Sequence, residues 1–132
     1  MSDEHVDRGV SITVRTLPGA VVLKVAGELD LASAPQLSKA IFTQLGHDPA
    51  GLILDLEHLT FCTSAGLHAM AHAATVTSTK KISFVVAAAQ RTVARVFEIV
   101  GMSEVIMLVA DLDAAYAWVT APSPPNSDEE DG

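Results

Sequence analysis

The sequence predicts a mixed α/β fold, with a mainly parallel β-sheet, a hairpin at one edge and about four helices. The chain has 132 residues, of which 49% are hydrophobic, enough for a single domain with its own core. Short apolar runs alternate with segments of helical periodicity over residues 9–120. Because strand–helix alternation produces right-handed crossovers between parallel strands, we expect the element order ββαβαβαβα.

The hairpin is predicted by the first two apolar segments. Residues 10–14 alternate apolar and polar side chains, as a half-buried strand does. Residues 20–26 form a second apolar run, and the Pro18 and Gly19 between the two runs are typical of a tight turn. We therefore expect these two strands to pair with each other at one edge of the sheet.

The remaining elements alternate between helix and strand. Ser33, with Pro35 just after it, predicts the start of a helix that ends at Gly46. The nearly continuous apolar run 52–56 predicts a central strand that is covered on both faces. The elements that follow are a helix from Thr63 or Ser64 through Ala74, a strand over 82–87, a helix over 90–100 closed by Gly101, a strand over 105–109 and a helix from Asp111 or Asp113 through Val119.

The two ends of the chain differ in composition from the part between them. Residues 1–8 are acidic and predict a flexible N-terminus, and residues 121–132, rich in Pro, Ser and acid, predict a disordered tail. The formal net charge is −8, yet residues 9–121 hold nine acids and seven bases. Because these bases form no cluster beyond Lys80-Lys81, we expect no binding to nucleic acid.

Cysteine content and hydropathy predict where the chain works. Cys62 is the only cysteine, and a chain that forms no intrachain disulfide fits a reducing cytoplasm. Lone cysteines are more often small buried apolar residues than nucleophiles, and we expect Cys62 to be buried. No apolar run is long enough to cross a bilayer, so we expect a cytoplasmic protein that does not insert into membranes.

Ser64 is the first candidate functional residue, because it follows a strand and opens a helix. A hydroxyl at Thr63 or Ser64 predicts a helix N-cap, which accepts a hydrogen bond from a free backbone N–H and contributes about 1 kcal/mol. A phosphate on a serine there would also meet the free N–H groups and the positive end of the helix dipole. A hydrolase nucleophile is disfavoured, because Cys62 replaces the first glycine of the Gly-x-Ser-x-Gly elbow.

His68 and His72 are the second set of candidate functional residues. They lie four residues apart on one face of the predicted helix, which is the spacing of zinc-binding helices. The glutamate of that motif is missing, and the sequence offers no obvious third ligand. We therefore expect two surface histidines, no metal and no cofactor.

Three further motifs stand at the ends of predicted strands. They are Gly27-Glu28-Leu29-Asp30, Leu54-Asp55-Leu56 and Phe61-x-x-Ser64-x-Gly66-Leu67. Together, and at these intervals, they resemble the STAS domain, and more narrowly the bacterial anti-sigma factor antagonists. The resemblance spans residues 9–120, and the later pair Gly101-Met102 also fits it. It implies the same strand–helix order that the periodicity predicts.

The resemblance also implies a function, that of a binding protein and not an enzyme. In that family an anti-sigma factor, which is a serine kinase, phosphorylates the serine that opens the second helix, and Ser64 matches this phosphoacceptor. The unphosphorylated antagonist binds the anti-sigma factor and frees a sigma factor, and a phosphatase resets the switch. Asp30 and Asp55 match acidic positions beside the serine. The implied partner-binding residues are Asp30, Asp55, Thr63, Ser64, Ala65, Gly66 and Leu67.

Two positions depart from the family pattern. Thr63 stands where the family usually has Asp, and His68 stands where it often has Gly. The loss of the acid removes a negative charge beside Ser64 and leaves Thr63 as an alternative acceptor. A second hypothesis therefore stays open, namely a STAS-type sensor or scaffold that binds a small ligand or a regulator without phosphotransfer.

Overall fold

The structure, a computed structural model, describes residues 9–121. The predicted flexible N-terminus and residues 122–132 of the predicted tail lie outside the described residues. The strands are β1 (Val10–Leu17), β2 (Ala20–Leu29), β3 (Gly51–Asp55), β4 (Leu59–Cys62), β5 (Ser83–Ala87) and β6 (Met107–Val109). The helices are α1 (Ala34–Leu45), α2 (Ser64–Lys80), α3 (Arg91–Ile99) and α4 (Leu112–Thr120), with a short 3₁₀ helix at Met102–Glu104.

All six strands form one sheet in the order β1-β2-β3-β5-β6, with β4 beside β2. The pair β1–β2 is antiparallel, and every other pair is parallel. The predicted fold class, with its hairpin at one edge of the sheet, is confirmed. Because the parallel strands run in one direction, the turns that lead into α1, α2 and α3 gather at their carboxyl ends, where ligands and partners of open α/β sheets usually bind.

Strand β4 is the element that the sequence prediction misses. It has only four residues, and it pairs with the second half of β2 while β3 pairs with the first half. The pairing register shifts between Gly27 and Glu28. Gly27 has a φ of +100°, and a Cβ atom there would collide with the carbonyl oxygen of Gly9. A glycine therefore lets β2 change partners from β3 to β4.

The last predicted strand is two residues shorter than expected. It begins at Met107 instead of at residue 105, because the preceding residues close the 3₁₀ turn. The backbone N–H groups of Val105 and Ile106 both donate to the carbonyl of Met102, so they are not available to pair with β5. Val105 is exposed as a result, although Ile106 is buried.

The core has two parts, one on each face of the sheet. Buried residues of α1, α2 and α3 pack with one face, and Ala115 and Val119 of α4 pack on the other. All five residues of β3 are buried, which confirms the predicted central strand. Asp111 caps α4 by accepting the N–H of Ala114 at 2.8 Å. Within residues 9–121, the helices are too short or too polar to cross a membrane.

Candidate functional site

The candidate site lies where β2 and β4 end side by side and α1 and α2 begin. We call residues 28–33 and 61–67 the Ser64 edge. Its two halves are joined through the carbonyl of Leu29, which accepts the backbone N–H of Thr63 at 2.9 Å. The loop with Asp30 therefore lies directly beside the start of α2. This arrangement follows from the missed strand β4, because the pairing of Cys62 with Leu29 brings the two strand ends to the same level.

Thr63 is the N-cap residue of α2, but its side chain does not cap the helix. Its backbone is extended, and its hydroxyl donates to the carbonyl of Leu29 at 3.3 Å. The expectation that Thr63 or Ser64 accepts a hydrogen bond from a free helix N–H is therefore wrong. Both the amide and the hydroxyl of Thr63 instead bind one carbonyl of β2, which ties the start of α2 to the sheet.

Ser64 is the first residue of α2 and is exposed. No side chain caps this helix, and the first helical bond runs from the N–H of Leu67 to the carbonyl of Thr63. The N–H groups of the first turn are therefore left to solvent or to a bound group. The first turn also holds no acidic residue. An anion on the Ser64 hydroxyl would thus meet free N–H groups and the positive end of the helix dipole.

Asp30 organises the loop between β2 and α1. Its Oδ1 atom accepts the backbone N–H groups of Ala32 at 3.1 Å and Ser33 at 3.0 Å. The hydroxyl of Ser33 accepts the N–H of Asp30, and it lies 3.0 Å from both Asp30 Oδ1 and the carbonyl of Glu28. The hydrogen bonds from Ser33 lower the pKa of Asp30. Its carboxylate therefore stays ionised near neutral pH and holds a tight turn.

Asp55 belongs to a different turn from Ser64, and its predicted role in the partner-binding site stays a prediction. It is the last residue of β3, is buried, and accepts the backbone N–H of Glu57 at 3.0 Å. Asp55 pairs with Lys24 of β2, whereas Cys62 pairs with Leu29. Five residues along β2 correspond to about 16 Å. The turn after β3 and the whole of β4 separate the two sites, and Asp55 shapes that turn.

The other predicted partner-binding residues differ in how far they are exposed. Ala65 is half-buried, whereas Gly66 and Leu67 are buried. A Cβ atom on Gly66 would lie 2.8 Å from the Sγ atom of Cys62 and 3.0 Å from the Cβ atom of Leu29. Gly66 therefore allows the first turn of α2 to pack closely against β2 and β4, and it holds Ser64 at the surface.

The described residues give little support to a metal site at His68 and His72 or to a hydrolase nucleophile. His68 and His72 are exposed, and the ring centroid of His72 lies 5.0 Å from that of Phe42. Among the described residues, no group of three or more His, Cys, Asp or Glu side chains is placed to hold a metal ion. Burial raises the pKa of the Cys62 thiol to about 11, so this thiol is protonated and unreactive at neutral pH.

Two exposed apolar residues of the Ser64 edge were not among the predicted site residues. Leu31 is 81% exposed and Phe61 is 51% exposed. The spacing Asp30-x-x-Ser33 could have drawn attention to Leu31, because an Asp that accepts N–H groups two and three residues on makes a turn that points its next residue outward. No sequence signal marks Phe61 as exposed, since an apolar residue between Thr60 and Cys62 fits a buried strand equally well.

The chain is similar to known proteins over most of its length. Residues 11–115 match the STAS domain family. The anti-sigma-F factor antagonist RsfB of Mycobacterium tuberculosis is 30% identical over 113 residues, which cover 83% of this chain and 89% of RsfB. An anti-sigma factor antagonist from Mycobacterium paratuberculosis has the same fold, with a TM-score of 0.74 and 28% identity over 83% of this chain and 93% of that chain.

The antagonist SpoIIAA in its unphosphorylated form shares the fold as well. Its TM-score is 0.72 at 21% identity, over 86% of this chain and 99% of SpoIIAA, so this likeness concerns the fold alone. The agreement of the family match, the mycobacterial relative and the sheet order leads to one conclusion. The chain belongs to the STAS domain family and is a homologue of the anti-sigma factor antagonists.

Proposed function

We propose that this protein is a cytoplasmic anti-sigma factor antagonist that phosphorylation of Ser64 switches off. The observation that carries the proposal is the exposed Ser64 hydroxyl at the uncapped start of α2. Its support is the homology to RsfB, which covers 89% of that antagonist. In this role the unphosphorylated chain binds an anti-sigma factor, a serine kinase, and thereby frees a sigma factor. The chain itself acts by binding and catalyses no reaction.

Ser64 is a better phosphoacceptor than Thr63 on geometric grounds. The Thr63 hydroxyl already donates to the carbonyl of Leu29 and is part-buried. A kinase would have to break this bond and pull the residue away from β2 before transferring a phosphate to it. Ser64 is exposed, and adjacent residues at a helix start point about 100° apart. A kinase site that fits Ser64 therefore does not fit Thr63.

The switch follows from the charge of a phosphate. Phosphorylation adds about −1.5 to −2 charges and three acceptor oxygens in the middle of the proposed interface. The free N–H groups of the first α2 turn would stabilise this phosphate in the unbound protein. On binding, the phosphate would be desolvated unless the partner supplied arginines, and the complex would weaken. A partner phosphatase would restore binding by removing it.

Phosphorylation mapping tests the proposal. The full chain is incubated with candidate anti-sigma kinases and ATP, and the modified peptide is identified by mass spectrometry in wild-type, Ser64→Ala and Thr63→Val proteins. We expect modification in the wild type and in Thr63→Val, and none in Ser64→Ala. Phosphate that persists in Ser64→Ala but disappears in Thr63→Val would move the site to Thr63. No phosphate with a kinase that binds tightly would contradict the proposed switch.

A groove between β1 and α1 favours the second candidate function, a STAS-type sensor for a small ligand. Its volume is about 410 Å³, within the range of small-molecule sites. Its apolar floor is formed by Ile12 and Val14, and Lys39 lies on its α1 side. A ligand seen by native mass spectrometry in the purified chain, and lost in Ile12→Lys, would support this second function.

A further inference from the structure

Leu31 and Phe61 are large apolar side chains that the fold leaves in water beside Ser64. Leu31 is 81% exposed, the highest value of any large apolar residue in the described chain, and Phe61 is 51% exposed. Single exposed apolar residues are common in proteins and need no explanation. Two at the end of one strand pair, β2–β4, and beside a candidate regulatory serine, form a surface that a partner can cover.

Leu31 is held rigidly although it lies in a loop. Its neighbour Asp30 accepts the N–H groups of Ala32 and Ser33, so the residues on both sides of Leu31 are fixed. The carbonyl of Asp30 also accepts the N–H of Ala34 at 2.8 Å, which joins the loop to the first turn of α1. A side chain on a fixed backbone loses less conformational freedom on binding than one on a mobile loop, and this preorganisation favours affinity.

Phe61 lies on the other side of the same edge. It pairs with Glu28 in the sheet, and its neighbour Cys62 pairs with Leu29. Successive side chains of a strand point to opposite faces, so Phe61 points away from the core face that Cys62 and Leu29 share. Leu31 follows Leu29 by two residues in the loop after β2, and Phe61 precedes Thr63 by two residues in β4. The bond from the N–H of Thr63 to the carbonyl of Leu29 therefore places both residues at the Ser64 edge.

The two chain segments that form this surface carry charges of one sign. Residues 26–36 and 56–70 contain three acids (Glu28, Asp30 and Glu57) and no Lys or Arg. The neighbouring bases belong to α3, which contacts β4 and carries Arg91 and Arg95. A partner that covers the two segments meets their carboxylates, so an apolar pocket with a rim of Lys or Arg favours association.

We propose that Leu31 and Phe61 are the two apolar anchors by which the unphosphorylated chain holds its anti-sigma factor, whose matching surface is an apolar pocket rimmed by bases. This inference rests on the proposed function and extends it to Leu31 and Phe61, which are not among the seven partner-binding residues that the resemblance implies. It also explains how a single phosphate acts, because Ser64 lies on the same edge as the two anchors. A charge on Ser64 has to be desolvated whenever the partner covers both anchors.

The experiment measures the dissociation constant of the full, unphosphorylated chain for its cognate anti-sigma factor by isothermal titration calorimetry. Leu31→Ala and Phe61→Ala are compared with Ile99→Ala and Val105→Ala, which remove similarly exposed apolar side chains (72% and 63%) at the end of α3 and just before β6. We expect Leu31→Ala to weaken binding at least about thirtyfold and Phe61→Ala about fivefold or more. The two control variants should stay within about twofold of the wild type. Circular dichroism checks that all four variants are folded.

The possible results separate this inference from the proposed function. Wild-type protein that binds no anti-sigma factor overturns the proposed function and the anchors with it. Wild-type binding that Leu31→Ala and Phe61→Ala leave unchanged overturns the anchors alone. Light scattering on the isolated chain adds a third result, since a dimer that Leu31→Ala dissociates would assign the surface to a second copy of the chain and contradict the inference. Loss of affinity only in the two anchor variants supports it.

Discussion

Two regions of the described chain each expose more than one large apolar side chain, and only one of them fixes its backbone with side-chain hydrogen bonds. The first is the Ser64 edge, with Leu31 and Phe61. The second is residues 99–107 between α3 and β6, which we call the α3–β6 corner. Its exposed apolar residues are Ile99, Val100, Val105 and Met107. By exposed apolar area alone, the α3–β6 corner would be the better candidate.

The difference between the regions lies in how their backbones are held. At the Ser64 edge, side chains of Asp30, Ser33 and Thr63 bind backbone groups and fix the loop against β2 and α2. The hydrogen bonds of the α3–β6 corner are those of its backbone turns. A Cβ atom added to Gly101 there would touch nothing within 4 Å, so the corner is loosely surrounded. Exposure by itself does not mark a site, and the fixed backbone is what favours the Ser64 edge over the α3–β6 corner.

Gly66→Ala gives the largest expected change at the Ser64 edge. The new methyl group would lie 2.8 Å from Cys62 Sγ and 3.0 Å from Leu29 Cβ, so the first turn of α2 must move away from the sheet. Overpacking of this kind costs about 1–3 kcal/mol. We expect the midpoint of thermal unfolding, measured by circular dichroism, to fall by several degrees.

Gly46→Ala is the matched control for this substitution. Gly46 has an ordinary φ of −65°, and a Cβ atom there would only touch carbonyl oxygens at 3.4 and 3.6 Å. We expect a change of less than about 1 kcal/mol, with stabilisation through the unfolded state as the favoured sign. If Gly66→Ala unfolds at the same temperature as Gly46→Ala, the start of α2 is not closely packed. The Ser64 edge would then not differ from the α3–β6 corner in how closely its backbone is held.

Asp30→Ala and Asp30→Asn distinguish the role of Asp30 in holding the Leu31 loop from the role of its charge. Asparagine keeps an oxygen that accepts the N–H groups of Ala32 and Ser33, whereas alanine removes it. We expect Asp30→Ala to weaken binding to the anti-sigma factor at least about fivefold, because Leu31 is no longer held in place. Asp30→Asn should bind within about twofold of the wild type. Equal losses in both variants would show that the carboxylate contacts the partner through its charge.

Because the pKa of Asp30 is lowered, the stability of the fold should depend on pH in one direction. Hydrogen bonds from Ser33 favour the ionised form in the folded protein, so its pKa lies below the ordinary 3.8. The stability that this provides is present above about pH 4 and is lost as the pH falls through the folded pKa. We therefore expect Asp30→Asn to be less stable than the wild type at neutral pH. Its stability should also fall less between neutral pH and acid pH, as measured by circular dichroism.

Cys62 gives an effect that appears only at high pH. Burial raises the thiol pKa from 9.0 to about 11, so between these values the folded chain keeps a proton that the unfolded chain has lost. Stability must therefore fall as the pH rises from about 9 to about 11. Cys62→Ala removes this contribution, and its stability should fall less steeply over the same range. Wild-type and variant curves with equal slopes would show that the thiol is open to solvent beside α2.

The sequence predicts most of the fold because the hydrophobic periodicity is strong there. The β1–β2 hairpin, the buried strand β3 and the Asp111 cap of α4 are all readable from local patterns. The four residues of β4 are too few to show a period, and their pairing depends on where β2 has unpaired backbone groups. The sequence also does not show that Asp55 and Ser64 belong to different turns, because β4 is the segment that lies between them in the chain.

The candidate site was partly predictable for the same reason. Ser64 follows from a strand–turn–helix pattern and from the resemblance to the antagonists. The hydrogen bond from the Thr63 hydroxyl could not be predicted from the sequence. Its acceptor is the carbonyl of Leu29, which is distant in the sequence. The exposure of Leu31 and Phe61 also depends on tertiary contacts, since nothing in the residue types shows which apolar side chains lack a neighbour.

The central claim is that phosphate on Ser64 controls binding to an anti-sigma factor. The most direct measurement is the dissociation constant of the chain for its cognate anti-sigma factor, before and after stoichiometric phosphorylation by that kinase, with Ser64→Ala as the control. We predict that the phosphorylated chain binds at least about tenfold more weakly, because a charge of about −1.5 to −2 must be desolvated beside the anchors. The Ser64→Ala chain should bind like the unphosphorylated wild type, whether or not it has been incubated with kinase and ATP. Equal affinity of the phosphorylated and unphosphorylated chains would contradict the account.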